Sequence, residues 1–333
     1  MKLQGVKMVQ EEIVFKSQML NLKGTLSLPE SKGTFPCVVM VHGSGQQDRD
    51  GNINGFDTNI FKQLSEQLIE AGYATFCYDK RGAGKSEGDF KTAGLEEVVL
   101  DAHQAINHIS THKQVNTNAI YVLGHSEGAC LAPEIANENK LISGLIMLCA
   151  SLRSFEEDGI KNAEVMNRDL DALKGLKGKI LRLFLYTKDP AKTMRDLRQK
   201  VESTDKPTVR VGFQKISTKF YRETFNYDVK SHLANTIKPI LAIGGEKDFQ
   251  CHPDDTKLID KVTKASTSTH IIENMDHTLR LQTGLPSLAS YKHACKNDIM
   301  PEVAIQLRNW LSEQMSLAET HATDEKPKPT AIT

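Results

Sequence analysis

One stretch constrains this chain more than any other: Ile120-Tyr121-Val122-Leu123-Gly124-His125-Ser126-Glu127-Gly128-Ala129-Cys130. Its first half is a continuous apolar run of the kind that forms a strand covered on both faces. Its second half leads into ACLAPEIANENK, where apolar residues recur at helical spacing. A strand that becomes a helix within a few residues leaves a serine at the apex of a sharp turn. Such a turn holds Ser126 in a strained backbone conformation, which costs about 1–3 kcal/mol and persists only where the surroundings over-determine it. It also crowds the positions two before and two after the apex. Gly124 and Gly128 stand there, and the missing Cβ relieves the crowding. A serine N-cap is the plainer reading of the same pentapeptide. The flanking strand and helix, and the partners found further along, separate the two.

The rest of the chain repeats the alternation of strand and helix. Residues 11–29 hold two alternating segments expected to pair as an edge hairpin. Pro36 to Val41 is an apolar run that ends at His42-Gly43-Ser44-Gly45. Phe61, Leu64 and Leu68 follow at helical spacing, closed by Gly72. Tyr73 to Tyr78 runs into Asp79-Lys80-Arg81-Gly82, and Leu95 to Ile109 reads as an amphipathic helix. Leu145 to Cys149, Ile237 to Ile243 and Ile271-Ile272 supply further strands, and Glu302 to Met315 a closing helix. This order predicts an α/β fold: a mostly parallel central sheet with helices on both faces. Residues 1–150 and 236–316 are expected to form that core. Residues 151–235 break the rhythm as a helical cap insertion, in which Asp189-Pro190 reads as an N-cap followed by proline at the first helical position. The polar segment 317–333, with two prolines, is expected to be disordered.

Composition narrows the function. Of 333 residues, 39% are hydrophobic and 25% charged, and 42 Lys+Arg balance 42 Asp+Glu. A formally neutral chain advertises neither nucleic-acid binding nor a polybasic membrane patch. No run approaches the roughly 20 apolar residues of a membrane span, and the start lacks the apolar core of a signal peptide. The six cysteines form no CxxC pair and read as reduced core residues of a cytoplasmic protein. No HExxH, Cys/His cluster or P-loop pattern is present, so no metal or cofactor is expected. The insertion holds 18 Lys+Arg against 12 Asp+Glu. That excess is either a solvated lid surface or an attraction for anionic substrates.

A serine hydroxyl is a weak nucleophile until a base takes its proton. The base is usually a histidine oriented by a carboxylate. Two loops at the carboxyl ends of late strands offer these groups, where ligands gather in open α/β sheets. One is Gly244-Gly245-Glu246-Lys247-Asp248, the other Glu273-Asn274-Met275-Asp276-His277. His277 alone among 11 histidines follows the last strand across a short loop. Asp248 competes for the acid with Glu246, Asp254, Asp255 and Asp276. Oxyanion donors are expected from the amide of Glu127 and from the loop after the His42 strand, at Gly43 or Ser44. His42 itself reads as a brace for that loop through hydrogen bonding.

Together HGSG, DRD, YDKRGAGKS, GHSEG, GGEKD and the final MDH resemble the bacterial carboxylesterases of the α/β-hydrolase superfamily, allied to dienelactone-hydrolase-like and acyl-aminopeptidase-like enzymes. The resemblance covers about residues 11–315. It implies Ser126 as nucleophile, Asp248 as acid and His277 as base, and a structural role for the Asp79–Gly82 loop. The family usually has a second glycine after GHSEG, where this chain has Ala129. Dienelactone hydrolases proper use cysteine at the elbow and dehalogenases aspartate, so Ser126 separates this chain from both. The expected activity is cleavage of small carboxylic esters through an acyl-enzyme. Acyl-peptide or amide hydrolysis, and thioesterase or acyltransferase chemistry, would use the same triad. A non-catalytic binding protein of this fold would be expected to lack one member. The cap is expected to turn Ile180, Leu183, Phe184 and Phe225 toward the site.

Overall fold

The computed structural model describes residues 8–324, apart from 31, 54 and 213. Strands β1 (Val9–Ser17) and β2 (Leu20–Leu28) form the edge hairpin, in register from Val9↔Leu28 to Ser17↔Leu20. Then come β3 (Phe35–Val41), α1 (Ile60–Glu70), β4 (Ala74–Tyr78), α2 (Leu95–Ile109), β5 (Val115–His125), α3 (Glu127–Glu138) and β6 (Ile142–Leu148). The interrupting segment contains α4 (Phe155–Ala172), α5 (Gly175–Leu185), α6 (Pro190–Glu202), β7 (Thr208–Val211), β8 (Gln214–Ser217), α7 (Thr218–Asn226) and α8 (Val229–Ala234). The chain then returns to the sheet through β9 (Ile240–Gly245), α9 (Pro253–Val262), β10 (Thr267–Ile272), α10 (Leu288–Ala294) and α11 (Pro301–Asp324).

Eight strands make the main sheet in the order β1-β2-β4-β3-β5-β6-β9-β10. β2 meets both β1 and β4 antiparallel, and every other pairing is parallel. β5 is central because its apolar run needs cover on both faces. Val39 and Val122 point into one buried cluster with Ile106 and Ile135. Their neighbours Met40 and Leu123 point into another, with Phe61, Leu307 and Trp310. This is the period-2 alternation of a strand applied to a residue run that is apolar throughout. The registers Val41↔Gly124 and His125↔Leu148 bring the carboxyl ends of β3, β5 and β6 level. The loops leaving those ends therefore meet above the middle of the sheet.

Three local outcomes differ from the sequence reading. The insertion is not helical throughout, since β7 and β8 pair from Thr208↔Ser217 to Val211↔Gln214. Thr-Val-Arg-Val favours a strand, and Gly212 turns the chain at φ 56. Val229 and Leu233 of α8 join the main core cluster, so the last turn of the expected insertion packs with the core. Helix α11 continues to Asp324, because residues 316–324 contain good helix formers and the first proline comes only at 327. The expected disordered tail therefore begins with helix, and its residues 325–333 lie outside the described residues. Asp189 caps α6 as read, accepting a hydrogen bond from the Lys192 amide at 2.8 Å with Pro190 at the first helical position.

Candidate active site

Ser126 sits between β5 and α3 at φ 56, ψ −120, a left-handed region that L-residues rarely occupy. Its amide donates to the Leu148 carbonyl at 2.9 Å, and its own carbonyl accepts from Ala129 and Cys130. Those bonds start α3 and fix the turn. A Cβ at Gly124 would lie 2.1 Å from the Gly128 carbonyl oxygen, and one at Gly128 the same distance from that of Val41. Both positions are closed to any other residue.

The loops after β5, β9 and β10 bring three side chains into series. His277 Nε2 lies 3.0 Å from Ser126 Oγ, and His277 Nδ1 lies 2.8 Å from Asp248 Oδ2. Asp248 Oδ1 accepts the amides of Gln250 and Cys251, at 2.9 and 3.0 Å. That leaves the carboxylate no freedom to turn. The competing acids are engaged elsewhere. Glu246 accepts the Asn274 amide, Asp254 pairs with Lys257, and Asp255 holds Ser151, Leu152 and Arg153. Asp276 Oδ1 accepts from Thr278 and from the Arg280 amide.

Electrostatics follow from this packing. Burial disfavours a charged His277, but the Asp248 carboxylate outweighs it and raises the imidazole above its ordinary value. His125 shows the opposite result. Burial, with His277 close by, pushes it down to about 3. As a neutral ring it donates from Nε2 to the His277 carbonyl at 2.9 Å and pins the loop that carries the base. His42 is likewise driven down to about 3, by burial and then by Lys80. Its expected hydrogen-bond brace does not form. Among the described residues neither ring nitrogen reaches a partner in bonding geometry, although the Asp48 backbone lies close enough to favour the protonated ring. The ring instead packs against Phe61 and Tyr78, at centroid distances of 4.8 and 5.5 Å. The apolar pocket around it explains the difference.

The proposed oxyanion donors surround the same hydroxyl. A Cβ at Gly43 would come within 3.1 Å of Ser126 Cβ. Ser44 and Glu127 line the cavity that Ser126 opens into. Among the described residues, their amides have no acceptor. Lys80 Nζ donates to the Gly43 carbonyl at 3.0 Å and to Glu127 Oε1 at 3.1 Å. Asp79 and Arg81, on either side of it, tie this loop to Arg49 of the loop after β3 and to Asp101 of α2. Asp48 accepts amides of its own loop, and neither it nor Arg49 lines the cavity.

That cavity measures about 270 Å³. Its core side is formed around Ser126 and Leu131, and its opposite wall by Phe155, Phe220, Tyr221 and Tyr227. Two acceptors on α4 also face it. Asp158 has its pKa raised to about 6, by burial first, and Asn162 Oδ1 is buried without a partner among the described residues. The expected apolar lining from α5 is absent. Ile180, Leu183 and Phe184 are 48%, 80% and 64% exposed, and Phe225 is buried with Met194 and Val201 instead. Arg182 explains the orientation. Its guanidinium reaches back to the Leu170 and Leu173 carbonyls at the end of α4, which turns Leu183 and Phe184 outward. The insertion's positive excess does not reach the cavity either, where its charged members are Arg153 and Asp158, one of each sign.

Among the described residues, two donor groups have the proximity to hold a metal: His125, Cys149 and His277, and Asp248, Cys251 and His277. Both rely on His277, whose nitrogens are engaged by Asp248 and Ser126. Both also need a thiolate, and burial drives Cys149 and Cys251 well above the ordinary thiol value. The cluster fits proton transfer rather than metal binding. His125, Lys80, Asp158 and Asn162 are the residues that sequence reasoning passed over. His125 and Lys80 adjoin residues already singled out, but nothing in the chain order says what they touch.

A model of the Hydrolase_4 family, described as serine aminopeptidase, S33, matches residues 37–283. Esterase EstD of Thermotoga maritima is 27% identical over 292 residues, a match that takes in 87% of this chain and 65% of that protein. The chain thus spans just under two thirds of that relative's length. Among solved structures, Est1E from Butyrivibrio proteoclasticus with ferulic acid bound superposes with a TM-score of 0.60 at 18% identity, covering 91% of this chain and 99% of Est1E. The Pyrococcus furiosus esterase Pf2001 gives 0.55 at 14% identity, covering 92% and 94%. At those identities the structures share the fold. No helix among the described residues is long and apolar enough to cross a membrane. The family match spans well over half of the chain, from β3 past His277, and the sheet order and serine elbow agree with it: the chain belongs to the serine aminopeptidase S33 (Hydrolase_4) family of the α/β-hydrolase superfamily.

Proposed function

We propose that this chain is a serine hydrolase that cleaves small carboxylic esters through an acyl-enzyme on Ser126. The observation that carries the reading is the hydrogen-bonded series Ser126–His277–Asp248 at the head of a largely apolar cavity. His277 Nε2 takes the hydroxyl proton as Oγ attacks the ester carbonyl. Asp248 holds the ring in the tautomer that presents Nε2 and stabilises the imidazolium. The amides of Glu127 and of Ser44, with Gly43 beside it, receive the oxyanion. His277 then gives its proton to the departing alkoxide, and water repeats the sequence to release the acid. Every proton transfer uses His277, and the one co-reactant is the water that releases the acid. Residues 155–227 act as a cap, with α4 and α7 forming the wall opposite the nucleophile. A cavity of about 270 Å³ suits short or medium acyl groups. That EstD is an esterase and that Est1E binds ferulic acid agree with a small-ester substrate.

Acyl-amide hydrolysis is the second reading. The family's description and the two acceptors Asp158 and Asn162 favour it, since an aminoacyl substrate brings N–H donors. The test compares p-nitrophenyl esters from acetyl to palmitoyl with aminoacyl p-nitroanilides, alongside fluorophosphonate labelling. The expected outcome is turnover of short and medium esters and labelling of wild type. Ser126→Ala should lose both, with kcat down by about 10⁴ or more. Labelling that survives Ser126→Ala would move the nucleophile elsewhere. Higher kcat/KM on the anilides would select the second reading.

A further inference from the structure

Among the described residues, the side chain of Lys80 is a buried cation that reaches both halves of the proposed oxyanion site. The residue is 4% exposed, and lysine is almost never that buried unless paired. Its Nζ bonds one group from the loop after β3, the Gly43 carbonyl, and one from the start of α3, the Glu127 carboxylate. The remaining side of the ammonium faces the Phe90 ring, 5.6 Å from its centroid. The loop that carries it is tied on both sides by hydrogen bonds. The Lys80 amide donates to the Gln47 carbonyl, the Lys80 carbonyl accepts from Ala83, and the flanking Asp79 and Arg81 are held by Arg49 and Asp101.

We propose that the Lys80 ammonium is a positioning group for the oxyanion site, holding the Gly43–Ser44 peptide and the Glu127 side chain from behind the nucleophile. The inference rests on the assignment of Ser126 as nucleophile and of Ser44 and Glu127 as oxyanion donors. Two physical effects follow. The Gly43 carbonyl and the Ser44 N–H belong to one trans peptide, so they point in opposite directions. A cation fixed on the oxygen therefore fixes the N–H on the far side. It also polarises the peptide and strengthens that N–H as a donor. The second effect concerns charge. Glu127 supplies its amide to the oxyanion but carries a carboxylate whose side chain is only 12% exposed. An unpaired carboxylate there would repel the negative charge that develops in the transition state. Lys80 offsets it without touching the substrate.

The two effects together make a distinctive prediction, because loss of Lys80 harms the site in part by releasing Glu127. Steady-state kinetics on the best ester would be measured for Lys80→Met, Lys80→Arg, Glu127→Gln and the double variant. Binding of the matching trifluoromethyl ketone would be measured too, since its hemiketal oxygen occupies the oxyanion site. Removing an oxyanion donor outright costs 10²–10³ in kcat, so Lys80→Met should lower kcat about tenfold to a hundredfold. KM should stay within about threefold, and affinity for the ketone should fall with kcat/KM. Lys80→Arg should restore part of the loss. Adding Glu127→Gln to Lys80→Met should raise kcat by about threefold or more, a coupling that independent sites would not show. A structural role alone would lower thermal stability without that recovery.

A Lys80→Met enzyme with wild-type kcat overturns the proposal, as does a double variant slower than the single one. So does a loss confined to KM with ketone binding unchanged. Should Lys80→Met not fold, Lys80→Gln keeps a donor without the charge and carries the same comparison. Activity that survives Ser126→Ala would instead refute the underlying assignment, and that outcome is read independently of Lys80.

Discussion

In the main sheet, β3 and β5 feed two separate buried clusters, so each neighbour of the elbow is fixed from both faces. In residues 155–226 the corresponding cluster contains Met194, Val201 and Phe225, with partly buried neighbours. Polar ties fasten this segment to the core. Lys219 reaches Glu96 at 3.0 Å, Ser217 Oγ donates to the Ala93 carbonyl, and Ser287 Oγ donates to Asp169. Little buried apolar area and many solvent-facing bonds mark a region that opens at lower free energy than the core. The cavity thus has one over-determined wall, which carries the nucleophile, and one that can yield. A strained φ at Ser126 is tolerable only on the first wall.

The largest test of the rigid wall is Asp248→Asn. With the fold intact, kcat should fall by about 10⁴, because the amide no longer holds the productive tautomer. The pH profile gives a finer readout with a definite sign. The base must be neutral, so kcat/KM rises with pH through the His277 pKa. Asp248 holds that value above the ordinary imidazole, about 6.5, so the wild-type midpoint should lie above it. In Asp248→Asn only the weaker influence of Asp276 and Asp158 still opposes burial, and the midpoint of the residual activity should move down. A midpoint that does not move would mean that Asp248 does not set the ionisation of the base.

The same contrast explains how much was legible in the sequence. Core strands were readable because an apolar run must be covered on both faces, and Gly124 and Gly128 because a Cβ there meets backbone at 2.1 Å. Chain order pointed to the two loops that hold Asp248 and His277, since loops at strand ends converge in this topology, but it left the acid open among Asp248 and its neighbours, and the family resemblance chose Asp248. The insertion lacks such constraints. Its apolar residues at helical spacing do not say which helix face is turned inward, and a single side chain, Arg182, settles α5 against the expected direction. Lys80 and His125 were opaque for a different reason. Their partners lie 37 and 152 residues away, on loops that only the sheet order brings together.

A second test breaks the yielding wall without touching the first. Phe225 is 8% exposed and stacks edge-on with Phe155 at 5.2 Å. Phe225→Ala removes a central member of a small cluster, a change worth about 3–5 kcal/mol in a well-packed core. Here it should open the insertion locally. Hydrogen-exchange protection should drop in α4, α6 and α7 while β5 and α3 keep theirs, and kcat/KM should fall with the loss of the cavity wall. Protection lost equally in β5 would show that the two regions unfold as one unit.

The smallest effect belongs to α5. Leu183 is 80% exposed on a helix whose Arg182 is bound to the end of α4. Sequence reasoning turned this residue toward the substrate, whereas the fold turns it to solvent. If the fold holds during turnover, Leu183→Ser should change stability by no more than about 0.5 kcal/mol. It should also leave the acyl-chain profile where it was. Phe155→Ala provides the contrast on the same insertion, because Phe155 does line the cavity. Its loss should shift the preferred chain length upward by enlarging the space opposite Ser126. A chain-length shift in Leu183→Ser as large as that in Phe155→Ala would mean that α5 swings over the site when substrate is bound. The yielding wall would then extend to the whole insertion rather than to α4 and α7.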